Sequence, residues 1–167
     1  MYIFAAVGSC QLAASVKRTA GSSGFRERSI WHLEAALLSL LAINIGLGGL
    51  GRLTELLRSA AMTSGWYLER GPAQLLMILT LLVAFVLAAT GGLYWARGTS
   101  SPAALSLVVS FLQTMFVLVR AVSLHAMDQI LYARIVGVTL SSMIEAGGIF
   151  VILVLMLWRR ERLAAEL

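Results

Sequence analysis

One cysteine, two prolines, a single lysine and eight acids are all that a chain of 167 residues offers in those classes. The lone Cys10 excludes an intramolecular disulfide, the cysteine pair of a thiol-disulfide catalyst and a cysteine-rich metal site, and reads as a small apolar filler. No HExxH and no nucleophile-elbow sequence is present. The remaining candidate ligands, Glu55, His125 and Asp128, form no metal-binding pattern, so no metal is expected. The basic residues are scattered among apolar runs, with neither a continuous stripe nor an aromatic stacking platform, which argues against nucleic acid. Polar surface of any kind is scarce: 13% of residues are charged against 59% hydrophobic, with a mean hydropathy of +0.87. That balance excludes an ordinary water-soluble domain.

What fills the chain instead is apolar helix. The expected fold is an all-α integral membrane protein, a four-transmembrane-helix bundle with approximate spans 29–51, 72–95, 102–124 and 135–158 making up a domain of residues 29–158. Residues 1–28 are an N-terminal interfacial or embedded arm with a basic linker, and 159–167 a short cytoplasmic tail. The opening apolar stretch, MYIFAAVGSCQLAASV, is followed rather than preceded by its positive pair, Lys17 and Arg18, the reverse of a secretory signal. A Gly-Ser hinge over Gly21 to Gly24 leads into the first span, where Trp31 and His32 suit an interface. Pro72 fits the first turn of the second, and a short GTSSP turn can cap the third. The HAMDQILYAR segment is amphipathic and extends the third helix past the hydrocarbon edge.

Basic residues near short spans favour the cytoplasmic face. Lys17, Arg18, Arg26, Arg28, Arg97, Arg159, Arg160 and Arg162 lie on the side of the termini, against Arg52, Arg58, Arg70, Arg120 and Arg134 on the other. The expectation is a multi-pass protein of an inner or plasma membrane with both termini cytoplasmic. In any four-span chain the first and third connections share a face, which brings together two polar groups: Arg52 to Gln74, and Arg120 to Arg134.

The first group follows NIGLGGLG, whose glycines lack the context of a dinucleotide fingerprint and are expected to serve close helix packing. Asn44, Gly48, Arg52 and Glu55 recur at helical spacing and could carry polarity inward. Arg58, Tyr67, Arg70 and Gln74 add donors for an anion or a quinone oxygen, and arginine offers bidentate geometry. In the second group Arg120 lies near a helix end, His125 and Asp128 are spaced for an imidazole-carboxylate pair, and Tyr132 and Arg134 complete a wall. Deeper in the bundle, Glu145 falls about ten residues, roughly 15 Å, into its span, with Asn44 and Gln113 as candidate partners for one intramembrane polar set.

The ligand-binding expectation is therefore an Arg-rich interfacial recess built from Arg52, Arg58, Tyr67, Arg70, Gln74, Arg120, His125, Tyr132 and Arg134. It would take an amphipathic molecule such as a quinone or an anionic lipid, in a binding or accessory subunit of a larger membrane complex or a homo-oligomer. Two alternatives stand beside it. One is a small membrane enzyme using Glu55, His125 and Asp128 for acid-base chemistry on a lipid-like substrate. The other is a proton-coupled carrier or assembly factor using Glu145. A bis-histidine haem within one protomer is disfavoured, because His32 and His125 fall at opposite faces.

Overall fold

A computed structural model describes residues 1–16, 22–65, 70–122, 134–135 and 137–165. Six helices dominate: α1 (Tyr2–Val16), α2 (Ser22–Leu47), α3 (Gly49–Thr63), α4 (Arg70–Trp95), α5 (Ser101–Val122) and α6 (Leu140–Ala165). A two-stranded antiparallel ladder, β1 (Arg134–Ile135) with β2 (Val138–Thr139), precedes α6, pairing Arg134 with Thr139 and Ile135 with Val138. Four helices are long and apolar enough to cross a membrane: Gly24–Leu47, Gln74–Trp95, Ser101–Arg120 and Leu140–Ala165.

The spans sit where the hydropathy places them, but two ends move for local reasons. The helix of the first expected span, α2, starts earlier than the expected hinge allows, with Ser22 already helical, and stops at Leu47 rather than 51. Gly48 there takes φ 61 and ψ 30, a left-handed conformation that breaks the α-helical ladder and starts α3 on a new line. The glycines around it do not pack helices together as expected: a Cβ at Gly46 or Gly51 would meet nothing within 4 Å. The helix of the fourth expected span, α6, starts five residues after 135, because the ladder and Gly137, at φ 82, turn the chain first. It then runs through the expected tail to Ala165, with Arg159 and Leu163 buried.

The core is built by α1, α2, α5 and α6. On α2 the buried positions Glu27, Trp31, Glu34, Leu38 and Leu41 alternate steps of four and three, one stripe of a helix. Trp31 therefore lies in the core, not at an interface as expected, with its indole N–H donating to Glu27 at 3.5 Å. The inward face of α1 is made of small residues, Ala5, Ala6, Ser9 and Ala13, which let its backbone approach α2 closely. Tyr2 lies against Glu145 and Gly8 against Met156, so α1 runs parallel to α6. Cys10 is exposed on α1, not a core filler.

By contrast, the apolar window of α4 is 0% buried. This helix leans on α5, where the ring of Phe111 lies 3.0 Å from the position of a Cβ at Gly92, and it turns Leu76, Val83, Leu87 and Tyr94 outward. The place that the expected bundle gave to the second span is taken in the core by α1.

Removing the left-handed glycine should be felt while its neighbour is spared. Gly48→Ala is expected to lower unfolding stability in detergent by about 1–2 kcal/mol, the cost of a Cβ in that backbone conformation. Gly46→Ala, with open space around it, is expected to be neutral or slightly stabilising. Chemical denaturation followed by circular dichroism measures both.

Candidate functional site

Among the described residues three carboxylates are drawn into the bundle, and α5 or the turn before it meets each of them. At one end, Glu27 is 5% exposed and receives four donors. The Ser100 hydroxyl donates at 2.7 Å, Arg159 donates from Nε at 2.6 Å and from Nη2 at 3.2 Å, and Trp31 completes the set. The turn before α5 thus spends its serine on Glu27, while its backbone carbonyl accepts from Ala104 N–H at 3.1 Å. The guanidinium uses two nitrogens on two oxygens, the bidentate geometry that makes a buried arginine-carboxylate pair hold.

In the middle, Glu34 is 0% exposed and lies ten residues after the start of its span. Its Oε1 accepts from Ser106 at 2.5 Å and from Ser110 at 3.2 Å. Its Oε2 is buried with no hydrogen-bond partner. Two neutral hydroxyls stand where Glu27 has a guanidinium.

At the far end, Glu145 forms an ion pair with Arg120, with side-chain exposures of 14% and 33%. The Tyr2 hydroxyl donates to Glu145 Oε2 at 3.5 Å, and the Gln113 amide donates to the Tyr2 oxygen at 2.8 Å and to the Glu145 backbone carbonyl at 3.2 Å. Gly148, one turn on, makes room: a Cβ there would collide with the Gln113 side chain.

On α5 the donors Ser106, Ser110, Gln113 and Arg120 fall at steps of four, three and seven, one face over a rise of about 21 Å. The result is a column with an arginine-paired carboxylate at each end and an uncompensated carboxyl between them.

The expected intramembrane set is partly assembled. Gln113 does reach Glu145, and Arg120 and Tyr2 join it. Glu145 itself is shallower than expected, five residues from the start of α6 and about 7.5 Å along it, so the mid-span carboxyl is Glu34. Asn44 lies near the end of α2, its amide oxygen 3.4 Å from the position of a Cβ at Gly49. The inward polar path from Arg52 does not continue along α2, because the break at Gly48 puts Arg52 and Glu55 on α3. Both are exposed there, and no ion pair joins them among the described residues.

Of the other expected ligand-binding residues, Gln74 is half-buried on α4 and Arg120 is committed to Glu145. Arg58 lies on α3, Arg70 opens α4 and Arg134 is in β1, with side chains outside the described set. Tyr67, His125, Asp128 and Tyr132 lie outside the described residues, which leaves Glu55 as the described member of the acid-base trio. His32 is exposed and accepts from Arg28 Nε at 3.3 Å. Among the described residues no group of three or more His, Cys, Asp or Glu could hold a metal ion.

Glu27, Glu34 and Arg159 escape a reading that looks for polar residues in apolar runs. By composition Glu27 falls within the expected basic linker and Arg159 within the expected tail. The available signal is the α2 stripe itself: Glu27 and Glu34 occupy the same seven-residue repeat as Trp31, Leu38 and Leu41.

Comparison with known protein families, curated proteins and solved structures gives no match. The functional reading therefore rests on the geometry of this chain.

Two substitutions measure how tightly the column is held. Arg159→Leu alone is expected to cost about 3–5 kcal/mol by leaving Glu27 buried and unpaired, and Glu27→Leu added to it should recover much of that loss in a double-mutant cycle. Gly148→Ala is expected to cost about 1–3 kcal/mol, since Gln113 must give up its hydrogen bonds to make room. Thermal unfolding in detergent reads both.

Proposed function

We propose that this multi-pass membrane protein is a proton-coupled carrier or assembly factor in which Glu34 binds and releases the proton. The observation that carries the reading is the contrast along the column. Glu27 and Glu145 are each neutralised by an arginine, whereas Glu34, the most buried of the three, has two hydroxyl donors and a free oxygen. A carboxyl without a cation in an apolar interior is held there at a high cost unless it takes up a proton. Ser106 and Ser110 can each donate to Oε1 while their own oxygens accept, so they are suited to pass a proton to and from Glu34. The arginine-paired ends then mark where the column meets the two faces. Retention of the proton alters the contact between α2 and α5, which gives carriage or assembly its coupling.

A second reading, the interfacial recess for a quinone or an anionic lipid, draws support from α3. That helix is amphipathic, leaves the line of α2 at Gly48, and exposes Arg52 beside outward apolar residues such as Leu56 and Met62.

Proton movement tests the first reading. The purified protein reconstituted in liposomes with an internal pH-sensitive dye is expected to dissipate an imposed pH gradient faster than protein-free vesicles. Glu34→Gln should abolish that flux with the fold intact, and Glu145→Gln should lower it by opening one end of the column. Flux equal to that of empty vesicles, or a Glu34→Gln protein as active as the wild type, would sink the proposal.

A further inference from the structure

A groove of about 580 Å³ runs between α1 and α6, away from the carboxylate column, and its walls change character along its length. Toward one end its lining is apolar, with Gly8, Leu153 and Met156, and toward the other the polar groups Gln11, Ser15 and Arg160 stand among Leu157, Leu163 and Ala164. Because α1 and α6 run parallel, Gln11 and Ser15 lie at the same end as Arg160. From Leu153 to Arg160 the helix rises about 10 Å. The volume is that of a small-molecule site, large enough for one hydrocarbon chain.

The charge at the polar end is uncommitted. Arg159 is buried against Glu27, and Arg162 stacks on the Trp158 ring at 4.6 Å. Arg160 is exposed and has no hydrogen-bond or ion-pair partner among the described residues. Glu161, next in sequence, is not part of the groove lining. A single exposed cation on the wall of an apolar channel is complementary to one kind of occupant: a tail with a negatively charged head.

We infer that this groove is a binding site for a phospholipid with an anionic headgroup, one acyl chain lying between α1 and α6 and the phosphate facing Arg160. The guanidinium provides the charge-assisted contact, and Gln11 lines the same groove as a further polar group. The lipid would fill the space beside the Gly8 and Met156 contact and hold α1 against the bundle. The site is separate from Glu34 and stands whether or not the protein moves protons.

Native mass spectrometry of the detergent-purified protein, incubated with palmitoyl-oleoyl phosphatidylglycerol or with the corresponding phosphatidylcholine, reads the proposal directly. The wild type is expected to retain phosphatidylglycerol about fivefold more than phosphatidylcholine, the preference that one arginine near the membrane surface confers. Arg160→Gln should bring the two lipids to parity without changing the melting temperature. Leu157→Trp, which fills the channel, should lower retention of both. Equal retention by the wild type, a preference that survives Arg160→Gln, unchanged retention in Leu157→Trp, or a lipid-free dimer as the dominant species overturns the assignment.

Discussion

Carboxylates placed among apolar helices have to be given donors, and the order and direction of the helices follow from where those donors are. Glu27 and Glu34 project from one stripe of α2, and serines of α5 and of the turn before it answer both. α6 then carries an acid near its start and a base near its end, Glu145 and Arg159, fourteen positions apart and so on nearly one face. Its acid takes Arg120 of α5 and its base takes Glu27 of α2, which fixes α6 antiparallel to the other two. A slip of one turn would unpair both ends together. Such pairs contribute little net stability over well-packed apolar residues, but they select one register among several that hydrophobic contact alone would tolerate.

Helix contact itself has a limited driving force once the chain lies in lipid, because hydrocarbon around a leucine is no worse a neighbour than another leucine. That explains the division of labour between α1 and α4. α1 is short, but its row of alanines with Ser9 brings its backbone close to α2, and Tyr2 ties it to Gln113 and Glu145. α4 is long and strongly apolar, yet rests chiefly on α5, closest at Gly92 against Phe111 and Leu107, and leaves its apolar window exposed. Hydropathy makes α4 a candidate span; shape and hydrogen bonding make α1 part of the core.

The same distinction separates what could be read in the sequence from what could not. The four spans were legible because length and apolar content decide them, and the Gln113–Glu145 association was legible because both residues stand out against apolar neighbours. The break after Leu47 was hidden among four glycines, of which Gly48 adopts the left-handed conformation. Glu145 lies nearer the start of its helix than hydropathy implies, because a Gly137 turn and two short strands occupy residues that read as helix. Glu27 and Arg159 were obscured by their charged surroundings: each lies in a cluster of ionic residues that composition assigns to water, and only the partner on the opposite helix draws it inside.

The outward placement of Cys10 has a practical corollary. The native chain carries one thiol, on the side of α1 turned away from the core, so a spin label or fluorophore attached there needs no prior removal of other cysteines. A docked α1 holds such a probe at a fixed distance from the C-terminal half of α6, and a detached one does not. The protein thus comes with a built-in reporter of whether its shortest apolar helix is seated.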